Sequence, residues 1–375
     1  MKTVIYLFLS LLFLLSSCRG GQGSKEIPQG DTLALRYATH LTLVDYTDYI
    51  VATLRNPWDT LQTLHTYVLV PREKELPSSL PAGTVVRTPL QHTVVYSSVH
   101  MALFEELGAA SVIGGVCDLK YIRLPFVIQA CANAEMVDCG DGINPDIERI
   151  IDLNPDAILL SPFENSGGYG RIEKLNIPLI ECADYMETSP LGRAEWMRFY
   201  GLLLGKEAEA DSLFAEVESR YLQLKLRASL SSYSLSVISE LKNGSAWYVP
   251  GGRSTMGRLF SDAYGRYAFA DDLHSGSVPL SFETVFDKAG QSDVWLIKYN
   301  RKRDLTYADL QADYVGYTGF KAFQTRNIYA CNTGKVSFYE ETPFHPDYLL
   351  SDLIQIFHPE IINLGGLRYF CKINE

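Results

Sequence analysis

Two stretches of this sequence gather aromatic rings, hydroxyls and an arginine beside glycine, Asn165-Ser166-Gly167-Gly168-Tyr169-Gly170-Arg171 and Trp247-Tyr248-Val249-Pro250-Gly251-Gly252-Arg253-Ser254, and a third, Ser97-Ser98-Val99-His100, sets hydroxyls and an imidazole at a helix start. Such side chains hold a ligand rather than break its bonds. Flat apolar faces stack, guanidinium forks pair with carboxylates, and the free N–H groups of a helix N-terminus favour anions. Ser98, His100, Tyr169, Arg171, Trp247, Tyr248 and Arg253 are the candidate contacts, suited to a bulky partner that carries carboxylates or many oxygens. Each stretch alone reads equally well as a Gly-rich turn with a helix cap. Tyr299, Arg301 and Arg303 follow a strand and fit a solvated basic face.

Motifs for bond-making chemistry are missing. The first strand–helix unit has neither G-x-G-x-x-G nor G-x-x-x-x-G-K-[ST], and no G-x-S-x-G elbow occurs. His40, His65, His92, His100, His274, His345 and His358 include no close pair, which argues against direct capture of a transition metal. A non-enzyme without resident cofactor or metal is expected.

The elements that must position these residues change character along the chain. From Leu33 to Val86 runs rich in Thr, Val and Tyr, broken at Asn56-Pro57 and Pro71, read as strands. After Thr93, short apolar strands alternate with helices, the pattern of a mostly parallel sheet covered on both faces. A second block of this kind begins near Leu235. Between the blocks Ser189-Pro190 opens a helical run that ends at Gly205, and Ala210, Leu213, Phe214, Val217, Tyr221 and Leu224 mark one face of a helix long enough to span two lobes. The fold expected is α/β: two lobes with mostly parallel central sheets, joined by one long helix, with a ligand cleft between them. The blocks share an internal repeat. Asp146 to Asp152 leads through Asn154-Pro155 into Asp156-Ala157-Ile158-Leu159-Leu160, and Ser281 to Asp287 leads through Gly290 into Asp293-Val294-Trp295-Leu296-Ile297. Each lobe thereby carries one outward glutamate, Glu148 or Glu283, at an equivalent place; the helix dipole alone also favours glutamate there.

With 375 residues, 47% hydrophobic and 21% charged, the chain can bury a core and is not intrinsically disordered. The net charge of −11 opposes binding to nucleic acid or anionic lipid. Lys2 and the apolar run Val4 to Leu15 form a secretory signal, and Leu15-Ser16-Ser17-Cys18 is similar to a bacterial lipobox, which implies lipid on Cys18. The six later cysteines form no C-x-x-C pair, and free thiols are expected.

From about Thr93 to the C-terminus the sequence resembles the substrate-binding proteins of ABC importers for iron chelates, haem and cobalamin. The resemblance is carried by the E-x-x-I-x-x-L-x-P-D-x-I stretch from Glu148, by Ser189-Pro190-Leu191-Gly192-Arg193-Ala194-Glu195-Trp196 with Leu204-Gly205-Lys206-Glu207, by Trp247 to Gly252, and by Ser281-Phe282-Glu283. It implies capture of an iron chelate, siderophore or haem, between the lobes, with cobalamin as the alternative ligand. It also implies delivery to an importer permease, whose arginines would meet Glu148 and Glu283. A scaffold lipoprotein that uses the lobes for protein contacts is the rival of another class. The organisation expected is a signal peptide over 1–17, a tether over 18–32, a strand-rich extension over 33–92, the first lobe over 93–205, a bridging helix over 206–228 and the second lobe over 229–375. The protein is expected as a monomer, lipid-anchored on the periplasmic side of the envelope: in the bacteria the resemblance implies, lipoproteins sent to the exterior carry acidic residues after the lipidated cysteine, and here Arg19, Gly20, Gly21 and Gln22 follow it.

Overall fold

The computed structural model describes residues 30–164 and 168–374, so Cys18, the leader before it and Asn165 to Gly167 lie outside the described residues. β1 (Asp31–Leu33), β2 (Leu41–Asp45), β3 (Ile50–Arg55), β4 (Thr63–Pro71) and β5 (Thr84–Thr88) form one sheet in chain order. Its pairs are antiparallel except β4 with β5. Alternation along β2 and β3 puts Leu41, Leu43, Ala52 and Leu54 into the core while the residues between them face outward.

The first lobe is built on β6 (Thr93–Val95), β7 (Ile113–Val116), β8 (Val137–Asp138), β9 (Ala157–Leu160) and β10 (Leu179–Glu181), ordered β10-β9-β6-β7-β8 and parallel throughout. Strands buried on both faces read as unbroken apolar runs, as Ala157-Ile158-Leu159-Leu160 does. α1 (Ser98–Glu106), α2 (Pro125–Ala132) and α3 (Ile147–Leu153) connect them. Strand order reverses at β6, which opens a crevice outside the carboxyl ends of β6, β7 and β9.

α4 (Pro190–Glu195) starts where the Ser189 hydroxyl accepts the Gly192 N–H at 3.1 Å. α5 (Met197–Leu204) stops at Gly205, whose φ of +63° suits glycine. α6 (Glu207–Ser229) follows, and its 23 residues give a rod of about 34 Å. Ala210, Phe214, Val217, Tyr221, Leu224 and Ala228 form its buried stripe.

The second lobe contributes β11 (Ser236–Ser239), β12 (Lys242–Asn243), β13 (Ala246–Pro250), α7 (Thr255–Asp262), β14 (Arg266–Tyr267), β15 (Ser277–Leu280), α8 (Phe282–Ala289), β16 (Val294–Tyr299), α9 (Tyr307–Asp313), α10 (Lys321–Gln324), β17 (Ile328–Asn332), α11 (Phe338–Glu341), α12 (Pro346–Phe357) and β18 (Cys371–Lys372). The order β14-β11-β16-β17-β18 is parallel save for its last pair, and β12-β13-β15 is a separate antiparallel sheet. Trp247 to Pro250 is therefore strand, not the ligand loop expected from its glycines; the turn begins only at Gly251. The internal repeat is real in three dimensions. α3 leads into β9 and α8 into β16, each strand paired in parallel with the first strand of its own lobe, β6 or β11.

The lobes touch beyond the bridging helix. His345 reaches Glu106 of α1 at 2.8 Å, and the Ser98 hydroxyl meets Glu340 of α11 at 3.4 Å; the bridging helix itself is tied to the second lobe by Tyr221, which donates to Asp262 of α7 at 2.7 Å. The β1–β5 sheet is tied to the first lobe by buried carboxylates that accept backbone N–H groups. Glu195 takes those of Arg36, Tyr37 and Ala38, all at 2.8 Å. Glu187 takes those of Thr39 and His40, also at 2.8 Å. Both carboxylates are about 1% exposed or less, so this segment supplies donors that the interior cannot do without.

The six cysteines from Cys117 onward are free thiols. No described helix is long and apolar enough to cross a membrane.

Candidate functional site

Parallel strands end on the same side of a sheet, so the residues that follow β6, β7 and β9 meet at one mouth. A cavity of about 900 Å³ lies there, lined by Tyr96, Ser97 and Ser98 after β6, Asp118 after β7, Ser161 and Phe163 after β9, Tyr121, Asn144, and Tyr169 with Arg171. Asp118 sits at φ +55°, and a Cβ on Gly142 would lie 2.6 Å from its carboxylate, so glycine is what lets that loop close over it. Ser97 caps α1 by accepting the Val99 N–H at 3.3 Å, which presents the helix N-terminus to the cavity. Tyr169 is half-buried and donates to Glu181 at 2.6 Å; burial first, and the Glu181 carboxylate second, raise its phenol above the usual range.

The second lobe offers a smaller wall at the ends of β11 and β16. A hollow of about 560 Å³ is lined by Glu240, Tyr248, Ser254, Thr255, Met256, Ser277 and Lys298 among others. Glu240 sits at φ +68° and pairs with Lys298 at 2.5 Å. Burial alone would lower the ammonium pKa, but the Glu240 carboxylate outweighs that and raises it.

The candidates from sequence divide accordingly. Ser98, Tyr169 and Arg171 line the larger cavity, and Tyr248, 48% exposed, lines the smaller. Trp247 needs correction. It points into the core, fully buried, with its indole N–H on the Ser239 carbonyl at 3.0 Å and its ring 5.6 Å from that of Trp295. Alternation along β13 forces this: if Tyr248 faces outward, Trp247 cannot. His100 needs the same correction. It is 3% exposed and bonded to Asp184 at 2.8 Å, with the Tyr200 hydroxyl 3.0 Å away, because two residues along α1 from the cavity-lining Ser98 a side chain leaves the opposite side of the helix, here against Asp184 and Tyr200. Arg253 is exposed on the turn after β13 and lines neither cavity.

Tyr96, Asp118, Tyr121, Phe163, Glu240 and Lys298 were not among the sequence candidates. For Tyr96, Asp118 and Glu240 a usable signal existed, since each lies within two residues of the end of a buried parallel strand. Glu148 and Glu283 are both exposed at the second position of α3 and α8, behind the N-caps Asp146 and Ser281. Its own backbone N–H and the Ser281 hydroxyl hold the Glu283 carboxyl below its usual pKa. Three residues on, each helix exposes an apolar side chain, Ile151 at 54% and Phe286 at 38%.

The model of the periplasmic binding protein family matches residues 120–333, and the chain belongs to that family of solute-binding proteins. An uncharacterised lipoprotein of Methanocaldococcus jannaschii is 26% identical over 298 residues, covering 77% of this chain and 70% of that relative. A second lipoprotein of the same organism is 24% identical over 322 residues, 82% of this chain and 80% of its own. Among solved structures, a periplasmic haem-binding protein from Pseudomonas aeruginosa superposes with a TM-score of 0.59 at 15% identity, covering 76% of this chain and 99% of that one. A periplasmic vitamin B12-binding protein of Vibrio cholerae gives 0.52 at 13% identity, over 72% and 96%. These likenesses establish the two-lobed fold.

Proposed function

We propose that this protein is the substrate-binding component of an ABC importer, capturing an iron chelate, siderophore or haem, at the mouth of the β6, β7 and β9 strands and handing it to a permease. The observation that carries the reading is the 900 Å³ cavity at the strand ends, where Tyr96, Tyr121, Phe163 and Tyr169 offer flat faces and Arg171 a fixed positive charge. Its size suits a drug-sized or larger organic ligand. Arg171 suits a carboxylate or a catecholate oxygen, and the rings suit a macrocycle or aryl groups. Haem and vitamin B12 are named for solved structures of the same fold, which supports a chelate of this size. No bond-making step is assigned to the chain. The test is titration with haemin, ferrichrome and cyanocobalamin, followed by the colour of each ligand. Trp247 is a poor fluorescent reporter, because it is buried in the second lobe away from the larger cavity.

The same reading makes Glu148 and Glu283 the docking carboxylates for the permease, one per lobe. It also places the body on the periplasmic side of the envelope, held by lipid on Cys18, and is supported by lipoprotein relatives. Membrane fractionation of a Cys18→Ala variant tests the anchor: a variant that stays with the membrane would contradict it.

A further inference from the structure

The β1–β5 sheet lies before the matched family residues, yet it reaches the wall of the larger cavity through a short chain of contacts. His65 and Tyr67 stand two apart on β4, so both side chains leave the same face, with ring centroids 4.3 Å apart. The Tyr67 hydroxyl donates to the Leu179 carbonyl at 2.9 Å and accepts the Glu181 N–H at 2.8 Å, fixing the end of β10. Tyr67 is fully buried, so this clamp is isolated from water. His65 is held from behind by Thr84 of β5 at 2.8 Å, and its Nδ1 approaches Glu181 Oε2 at 3.2 Å. The other oxygen of Glu181 accepts the Tyr169 hydroxyl at 2.6 Å. With only 10% of its side chain exposed, Glu181 has one oxygen hydrogen-bonded, by Tyr169, while the other, buried without a hydrogen bond among the described residues, has the His65 ring, which can carry charge, as its neighbour at 3.2 Å.

Behind Tyr169 lies a second chamber of about 530 Å³, lined by His65, Thr84 and Val85 from the added sheet and by Tyr169, Glu173 and Glu181 from the lobe. Tyr169 lines both spaces. Its ring stands between them as a partition, packed against the core cluster that holds Leu160 and Ile172, and among the described residues its hydroxyl is tied by the bond to Glu181.

We infer that the added sheet is a working part of the ligand site: His65 and Tyr67 position Glu181, and Glu181 fixes Tyr169 as the partition between the ligand cavity and the chamber behind it. This rests on the larger cavity being the ligand site. A fixed partition gives that cavity one size and presents the Tyr169 face without an ordering cost at binding. Loss of the tie lets the ring swing and merges the two spaces, which weakens binding and broadens ligand choice. His65, Tyr67 and Glu181 are positioning residues here.

The experiment has a ligand-free arm and a binding arm. Protein labelled with 13Cζ-tyrosine is examined by NMR, with the Tyr169 resonance assigned by its loss in Tyr169→Phe. That resonance should shift or broaden in His65→Ala and in Glu181→Gln while the remaining tyrosines away from this network keep theirs. In the binding arm, whichever of haemin, ferrichrome and cyanocobalamin binds the natural protein should bind roughly three- to tenfold more weakly to His65→Ala and to Tyr169→Phe, with no further loss in the double variant. An unmoved Tyr169 resonance in His65→Ala overturns the positioning, as does unchanged affinity in a variant whose resonance has moved. Failure of the ligand reading looks different: none of the three probes binds the natural protein, while the resonance test still decides whether β4 controls Tyr169.

Discussion

His100 and Asp184 place a charge pair in the interior of the first lobe, and the pair sets a pH signature. Burial works against both charges. For His100, Cys182 and Asp184 more than offset it and carry the imidazole up to about 10; for Asp184, His100, Arg193 and Tyr200 carry the carboxyl down to about 2. A raised histidine stabilises the fold fully below its unfolded value of about 6.5 and loses that contribution as pH rises toward its folded value. The depressed aspartate contributes above its unfolded value near 3.8 and loses that as pH falls toward about 2. Unfolding stability in urea should therefore decline from about pH 6.5 to 10, and His100→Gln should flatten the decline. An equally steep decline in the variant would mean that other groups set it. The sequence displayed His100 as a polar residue at a helix start, which is why it read as a ligand contact. Nothing local revealed that Asp184, from a segment 84 residues on, would bury it. Trp247 misled in a different way: its glycines lie after the strand, and the aromatic pair before them alternates between core and surface.

The alternation of apolar strands with helices was legible because parallel strands buried on both faces leave continuous runs such as Ala157 to Leu160, and α6 was legible from its 3.6-residue stripe. The antiparallel β12-β13-β15 sheet was not, since β12 spans only Lys242–Asn243 and β15 is interrupted by Pro279. The β1–β5 sheet was legible as strands, but its attachment was not. That attachment depends on Glu187 and Glu195, which accept N–H groups of residues about 150 positions earlier. Glu195→Ala should leave three part-buried N–H groups without their acceptor, empty a fully buried side-chain site, and cost about 3 kcal/mol or more in urea unfolding, whereas exposed Glu216→Ala should change stability by less than about 0.5 kcal/mol. A similar small effect for both would mean that the sheet is held by apolar packing alone. At the same scale, α3 and α8 present matched pairs, Glu148 with Ile151 and Glu283 with Phe286. Arginine on the permease would meet the carboxylates, and the apolar partner would add desolvated contact beside them. Glu148→Ala with Glu283→Ala should keep ligand affinity and cut transport in proteoliposomes containing the cognate permease, and Ile151→Asp with Phe286→Asp should do the same. Normal transport by both double variants would return these residues to ordinary solvated helix starts.

At the scale of the whole molecule, two mostly parallel sheets each carry a hollow at their strand ends, one helix of about 34 Å joins the lobes, and Ser98 meets Glu340 across the gap. The lobe that carries the larger cavity is braced from behind by the β1–β5 sheet, while α1 is in contact with the second lobe through Glu106 and His345. Closure around a ligand would change the Ser98 and Glu106 contacts without disturbing either sheet. The central claim is that the strand-end cavity captures a metal chelate. Its most direct measurement is the absorption spectrum of the purified protein during equilibrium titration with haemin, ferrichrome and cyanocobalamin, repeated with Arg171→Ala. One of the chelates should bind at one molecule per chain, with an affinity in the micromolar range or tighter and at least several-fold weaker in the variant. No binding of any of the three, or binding that Arg171→Ala leaves untouched, would contradict it.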